Sequence, residues 1–350
     1  FSKVNIMITD IIFFFILISL LLLINFFLMK SKKLIHANAK DEHKKFGLNK
    51  IPLSGGLFFF IIFLYLNSEK NFFENNLLIL FIFFNLFLGL LVDYNIEIKP
   101  KLRFFIQIFL IVNLVYFYKL VILNTNIYFL DYLLNNFFFN IFFTSFCILV
   151  VLNGLNFMDG VNNNVIGYFV LLILSIILIE YKNFLTDYLD SYKLLLYASI
   201  VFYFFNFFNK NYLGDSGIYV LSVFISVFVI QFVNKSSYVS PLLAINLLWY
   251  PALETLFSII RKLYFRKNPF NPDTKHLHSL ILKSLRAHNF KNVNTVSGIL
   301  LNLALLPNFF IAINYYNNSL VIFLTTTTYV ILYIFLYIKL FMAERKNFNI

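Results

Sequence analysis

The chain has 350 residues, 61% of them hydrophobic and 13% charged, with a mean hydropathy of +0.81; a soluble domain keeps its apolar share nearer half, so a polytopic membrane protein is expected instead. The net charge of +12 gathers in segments 30–50, 99–103, 261–291 and 345–346, which is the pattern of membrane topology rather than a nucleic-acid footprint, and no nucleic-acid partner is expected. The single cysteine, Cys147, lies in an apolar run, which excludes an internal disulfide and a cysteine metal site.

Taking apolar stretches of about 17–25 residues as spans, and shorter ones where turn signals flank them, predicts an all-α bundle of about eleven transmembrane helices. They fall at 11–29, 53–69, 76–92, 104–122, 137–153, 165–181, 193–208, 217–233, 240–260, 295–316 and 319–339. The first run is longer than the core of a signal peptide, and lysines separate it from the small-residue site Ala37-Asn38-Ala39, so it reads as a retained span. With loop 30–50 on the cytoplasmic side, alternation brings 93–103, 154–164, 209–216, 261–294 and the C-terminus to that same side. One membrane domain over 1–350 is expected, with 261–294 as its long cytoplasmic, His-containing loop.

Four polar islands interrupt the apolar runs: Ile51 to Gly56, Asp93 to Arg103, Asn153 to Gly160, and Leu213-Gly-Asp-Ser-Gly217. A carboxylate near hydrocarbon is costly, so Asp93, Asp159 and Asp215 recurring at one membrane face predict a shared anionic site. Taken singly, each has a plain reading: a solvated helix end for Asp93, a turn residue for Asp159 and a helix N-cap for Asp215. Three aspartates suit one Mg²⁺, an ion that takes few protein carboxylates when substrate phosphates supply further oxygens; a phosphorylated ligand is therefore inferred. In the last loop, Lys275, His276 and His278 are better placed as donors to phosphate than as a zinc site.

Together these segments resemble the polyprenyl-phosphate N-acetylhexosamine-1-phosphate transferases, glycosyl transferase family 4, which start bacterial cell-envelope glycans on a lipid carrier. Pro52-Leu-Ser-Gly55-Gly56 is similar to the family's Pro-x-x-Gly-Gly, and Asp93 to Gln107 to its Asp-Asp segment ending Lys-x-Arg-x-x-x-Gln. Asn153 to Gly160 resembles Asn-x-x-Asn-x-x-Asp-Gly, Leu213 to Gly217 resembles Leu-Gly-Asp-x-Gly, and Pro251 to Thr255 resembles Pro-x-x-Asp-Thr. His276-Leu-His278 resembles the start of His-x-His-His. The departures are Tyr94 for the second aspartate of the pair, Asn162 for a later aspartate, Ser279 for the last histidine, and no histidine in register before Pro52, with Gly47 near that position and His43 displaced.

The resemblance implies transfer of a sugar 1-phosphate from a UDP-linked N-acetylhexosamine to undecaprenyl or another polyprenyl phosphate, with release of UMP, at the cytoplasmic face of the bacterial inner membrane. It implies Mg²⁺ as cofactor, with Asp215 as first ligand, Asp93 beside the metal or the lipid phosphate, and Asp159 in the same shell or at the nucleotide. Lys101 and Arg103 would hold the lipid phosphate, His276 and His278 the pyrophosphate, and Asn153 and Asn156 would orient the site. Gly55, Gly56, Gly160, Gly214 and Gly217 would allow close backbone approach. A homodimer is compatible with the resemblance. The peptidoglycan branch, which takes a muramyl pentapeptide donor, is the alternative within the family, and its triple-His run is absent. A transporter would set charges at the midplane, and a non-catalytic lipid-phosphate binder is the reading that Tyr94 and Asn162 keep open.

Overall fold

The computed structural model describes residues 2–36, 50–70, 72, 76–185, 188–271 and 273–347; Ala37-Asn38-Ala39, His43, Gly47 and Pro272 lie outside them. Hydrocarbon offers no partner to a backbone amide, so apolar runs satisfy their own N–H and C=O groups as helices. The eleven predicted spans correspond to α1 (Ser2–Ser31), α2 (Gly55–Lys70), α3 (Leu77–Asp93), α4 (Pro100–Tyr118), α6 (Phe137–Met158), α7 (Asn164–Lys182), α8 (Leu189–Phe207), α9 (Gly214–Lys235), α10 (Leu242–Tyr264), α12 (Val293–Tyr315) and α13 (Ser319–Asn347). Two short helices, α5 (Tyr128–Leu134) and α11 (Leu277–Ala287), were not expected. A two-residue ribbon pairs β1 (Ile35–His36) with β2 (Ile51–Pro52) in antiparallel register.

Among the described residues, eight helices are long and apolar enough to cross a membrane, while the apolar parts of α2 and α3 are shorter. The helix α8 opens on Asp190 and Lys193, which pair at 3.6 Å on its first turns. Helix α9 is the central pillar: every residue from Ile218 to Ile230 is buried, against α2, α3 and α6. Small residues permit that closeness, since a Cβ on Gly89 would collide with the backbone of Ser216. Outside, rings such as Phe15, Phe109 and Phe335 are exposed, as lipid-facing positions are.

Pro251 lies within α10 and cannot donate to the carbonyl of Leu247, one turn earlier. The buried Tyr168 hydroxyl of α7 donates to that carbonyl instead, so the break is satisfied inside the bundle. Gly154 of α6 fits against the Pro251 carbonyl, where a Cβ would clash. The starts of α4, α9 and α11 and the end of α6 gather around one cavity at one end of the bundle. At the other end the loops meet one another: Asn126 Nδ2 donates to Ser319 Oγ at 2.8 Å, and Ser240 Oγ lies 2.8 Å from the same oxygen.

Candidate active site

The Pro52-Leu-Ser-Gly-Gly island docks backbone to backbone on the turn before α9. Tyr212 N–H donates to the Pro52 carbonyl at 2.9 Å, and Ser54 N–H to the Tyr212 carbonyl at 3.1 Å. A Cβ on Gly55 would stand 2.7 Å from Leu213 Cα, and one on Gly217 would stand 3.1 Å from the Gly56 nitrogen. Gly55, Gly56 and Gly217 are thus contact points between α2 and α9.

Asp93 ends α3 beneath this turn. Its Oδ1 accepts from the backbone N–H of Asp215 at 2.9 Å and its Oδ2 from that of Ser216 at 3.0 Å. The first amides of a helix lack partners within it, and α9 receives them from another helix rather than from a residue of its own. Gly214 makes room: it has φ +71°, and a Cβ there would lie 2.7 Å from Asp93 Oδ2, so the position needs glycine for both conformation and space. Asp93 is 8% exposed, and among the described residues lining the cavity it is not found. Among the described residues no three acidic, His or Cys side chains form a preformed metal-binding group. Asp93 acts on the site by fixing the start of α9.

The cavity has a volume of about 530 Å³, within the range that holds small-molecule ligands. Asp159, Asp215, Arg103, Asn153, Asn156, His276 and His278 all line it, together with Gln107. Arg103 Nη1 lies 3.7 Å from Asp215 Oδ1, with each side chain more than a quarter exposed. A pair so placed contributes under about 1 kcal/mol to stability, so its weight lies in the charge it presents. Lys101 is not among the described lining residues; its Nζ sits 5.8 Å from the centre of the Phe270 ring.

The two histidines are held from behind. His276 Nδ1 lies 3.1 Å from Glu254 Oε2, and its ring packs on Phe157 with centroids 4.8 Å apart and lies parallel to His278 at 5.8 Å. His278 Nε2 lies 3.0 Å from Ser279 Oγ, and its ring covers Gly160, where a Cβ would collide with it. Ser279, standing where the resemblance has histidine, is thus a buried partner of its neighbour. The loop carrying these residues is pinned by α10: Arg261 donates to Asp273, to the Lys275 carbonyl at 2.6 Å and to the Tyr337 hydroxyl at 2.8 Å. Lys262 Nζ donates to the carbonyls of Pro269 at 2.9 Å and Asn271 at 2.8 Å.

Sequence reasoning gave no role to Glu254, Arg261, Lys262 or Asp273. The signal was present in the first three, because Glu254, Ser258, Arg261 and Lys262 recur at the i, i+4, i+7, i+8 spacing of a single helix face, polar in an otherwise apolar span.

Asn162 stands outside the cavity lining, and its amide is a structural hub. Nδ2 donates to Asn209 Oδ1 at 2.7 Å and to the Asn206 carbonyl at 3.1 Å, while Oδ1 accepts from Asn294 Nδ2 at 2.9 Å. Neighbouring Asn163 N–H donates to Asn206 Oδ1 at 2.6 Å, and Asn164 Nδ2 to the Met158 carbonyl at 2.8 Å. This asparagine turn ties α6 to α8 and α12 and so positions Asp159. An aspartate at 162 accepts but does not donate. Asn162→Asp is expected to lower stability by about 1–3 kcal/mol, the cost of leaving buried acceptors unpaired, with no gain in turnover; thermal unfolding in detergent beside an activity assay checks both. Tyr94, another departure, is exposed at the end of α3.

With these side chains in place, residues 76–233 match the family model described as glycosyl transferase family 4. Over that stretch, less than half of its length, the chain is similar to glycosyl transferase family 4. Among curated proteins it is similar to an undecaprenyl-phosphate alpha-N-acetylglucosaminyl 1-phosphate transferase of Thermotoga maritima, 35% identical over 77 residues. That match covers 22% of this chain and only 25% of the relative. The family match spans α3 to α9, and so includes Asp93, Arg103, Asp159 and Asp215 but neither Glu254 nor the histidines.

Proposed function

We propose that this chain is a glycosyl transferase family 4 enzyme that transfers an N-acetylhexosamine 1-phosphate from a UDP-sugar to undecaprenyl or another polyprenyl phosphate, releasing UMP at the cytoplasmic face of a bacterial inner membrane. The observation that carries this reading is the meeting, in one cavity, of acidic, cationic, imidazole and amide groups from α4, α6, α9 and the loop before α11. In this reading the lipid phosphate oxygen attacks the phosphorus bearing the sugar, and the bond from that phosphorus to UMP breaks. Phosphoryl transfer asks for positioning and charge neutralisation rather than covalent help. Arg103 neutralises a phosphate near Asp215, His276 and His278 donate to the pyrophosphate, and Asn153 and Asn156 orient the donor. The apolar side of the same cavity, with Phe146, Leu149 and Ile259, receives the first part of the lipid tail.

Mg²⁺ fits this donor set through Asp215 and Asp159, which face one cavity, with substrate phosphates completing a shell that needs few protein carboxylates. Bound there, the ion would spread the negative charge of the pyrophosphate. The test is UMP release by the purified chain given undecaprenyl phosphate, a panel of UDP-N-acetylhexosamines and Mg²⁺. Release is expected for some sugars and is expected to stop with EDTA and return with added Mg²⁺. Undiminished release in EDTA would remove the metal from the reading, and no release with any donor, lipid binding being retained, would favour a non-catalytic lipid-phosphate binder.

A further inference from the structure

A second cavity, of about 710 Å³, lies behind the first, with Lys262, Asn271 and Asp273 bordering both. Its wall carries Arg261, Lys262, Arg266, Lys267 and Lys275 against the single carboxylate of Asp273. Two of those cations are already engaged, Arg261 with Asp273 and Lys262 with two loop carbonyls. Arg266 and Lys267 are set by the turn that ends α10, where Arg266 takes φ 54° and Lys267 N–H donates to the Lys262 carbonyl at 2.7 Å. Lys275 Nζ stands 5.1 Å from the centre of the Phe341 ring, on the α13 side.

The surroundings say what such a cationic hollow faces. On α10, Ile260, Leu263 and Tyr264 are exposed, and on α13 so are Ile338 and Met342. Large exposed apolar side chains on two adjoining spans belong to the bilayer, so the hollow sits where hydrocarbon gives way to headgroups. A soluble nucleotide would use the cations but not the apolar faces; a phospholipid uses both.

We infer that this cavity binds the headgroup phosphate of an anionic phospholipid of the surrounding membrane, at Arg266, Lys267 and Lys275, with its acyl chains along α10 and α13. Basic hollows between spans hold anionic headgroups in this way. Because Lys262 and Asp273 are shared, a lipid seated there abuts the loop that carries His276. The inference stands apart from the transferase reading, since it needs no turnover.

The test is native mass spectrometry of the full chain in detergent, titrated with phosphatidylglycerol and, separately, phosphatidylcholine of the same acyl chains. Preferential retention of phosphatidylglycerol is expected. Each cation removed should weaken it about five-fold, so Arg266→Gln, Lys267→Gln and Lys275→Gln together should weaken it roughly 100-fold while leaving phosphatidylcholine unaffected. Arg266→Lys with Lys267→Arg and Lys275→Arg should keep the preference. The single variants give the same reading should the triple variant fail to fold. Equal retention of both lipids, or a preference untouched by the glutamines, would overturn the inference; so would displacement of the lipid by millimolar inorganic phosphate or UDP, which would make the hollow a site for free phosphates.

Discussion

Asp215→Asn is expected to lower UMP release by about 10³-fold while the protein stays folded. Removing one group that meets charge in a transition state costs about 10²–10³ in rate, and the upper end applies here because Asp215 is both the leading candidate metal ligand and the partner of Arg103. The structural cost is small by comparison. Asp215 sits in the first turn of α9, where a carboxylate contributes about 0.3–1 kcal/mol through the helix dipole, and the amides of that turn are held by Asp93, which the substitution leaves in place. Asp93→Asn should behave differently, losing stability as well as rate, because an amide cannot accept on both of its ends. Thermal unfolding and UMP release measured on both variants separate ligand from cap. Parental activity in Asp215→Asn would make the metal assignment wrong.

Glu254→Ala is expected to lower kcat/KM about 100-fold, the scale on which a misplaced group costs rate, although Glu254 itself is a positioning residue. Its carboxylate is buried within α10 and contacts His276 Nδ1 at 3.1 Å, with Tyr250 and Tyr333 alongside. A carboxylate in a membrane span is expensive, so its presence asks for a use, and holding the His276 ring toward the cavity is the use the geometry offers. Activity and stability should then part company: Glu254→Gln keeps an acceptor near Nδ1 and removes the buried charge, and is expected to unfold no earlier than the parent while turning over more slowly. Glu254→Asp, which carries the residue of the resembled Pro-x-x-Asp-Thr motif, should recover much of the rate lost in Glu254→Ala. If all three variants lost rate only in proportion to lost folded protein, the residue would be structural alone.

Much of the architecture was readable before any coordinates. The eleven predicted spans each fall on a helix, eight of them among the described residues long and apolar enough to cross a membrane, because a bilayer demands a minimum apolar length for each crossing and forces backbone pairing within it. The unexpected α5 and α11 are short and lie outside those runs, so no length rule announced them. The polar islands were legible too, since Asp159, Asp215, Arg103, Asn153, Asn156, His276 and His278 do line one cavity. Asp93 caps the start of α9, a contact its sequence did not announce, and Asn162, which stands where the resemblance has an acid, is an amide hub.

What the sequence by itself determined is therefore which segments cross the membrane and which charged groups collect at one end, because those properties follow from local hydropathy and alternation. What the tertiary structure alone decided is which of those groups face each other. A span such as α6 or α9 is apolar all round, so its sequence carries no rotational phase to say which side meets a neighbour. The phase comes from close crossings at Gly56, Gly89 and Gly154 and from the amides that Asp93 and Asn162 hold. Only those contacts turn Asp215 and His276 toward a common space, and only they place Glu254, a lone acid in a hydrophobic run, against the histidine it supports.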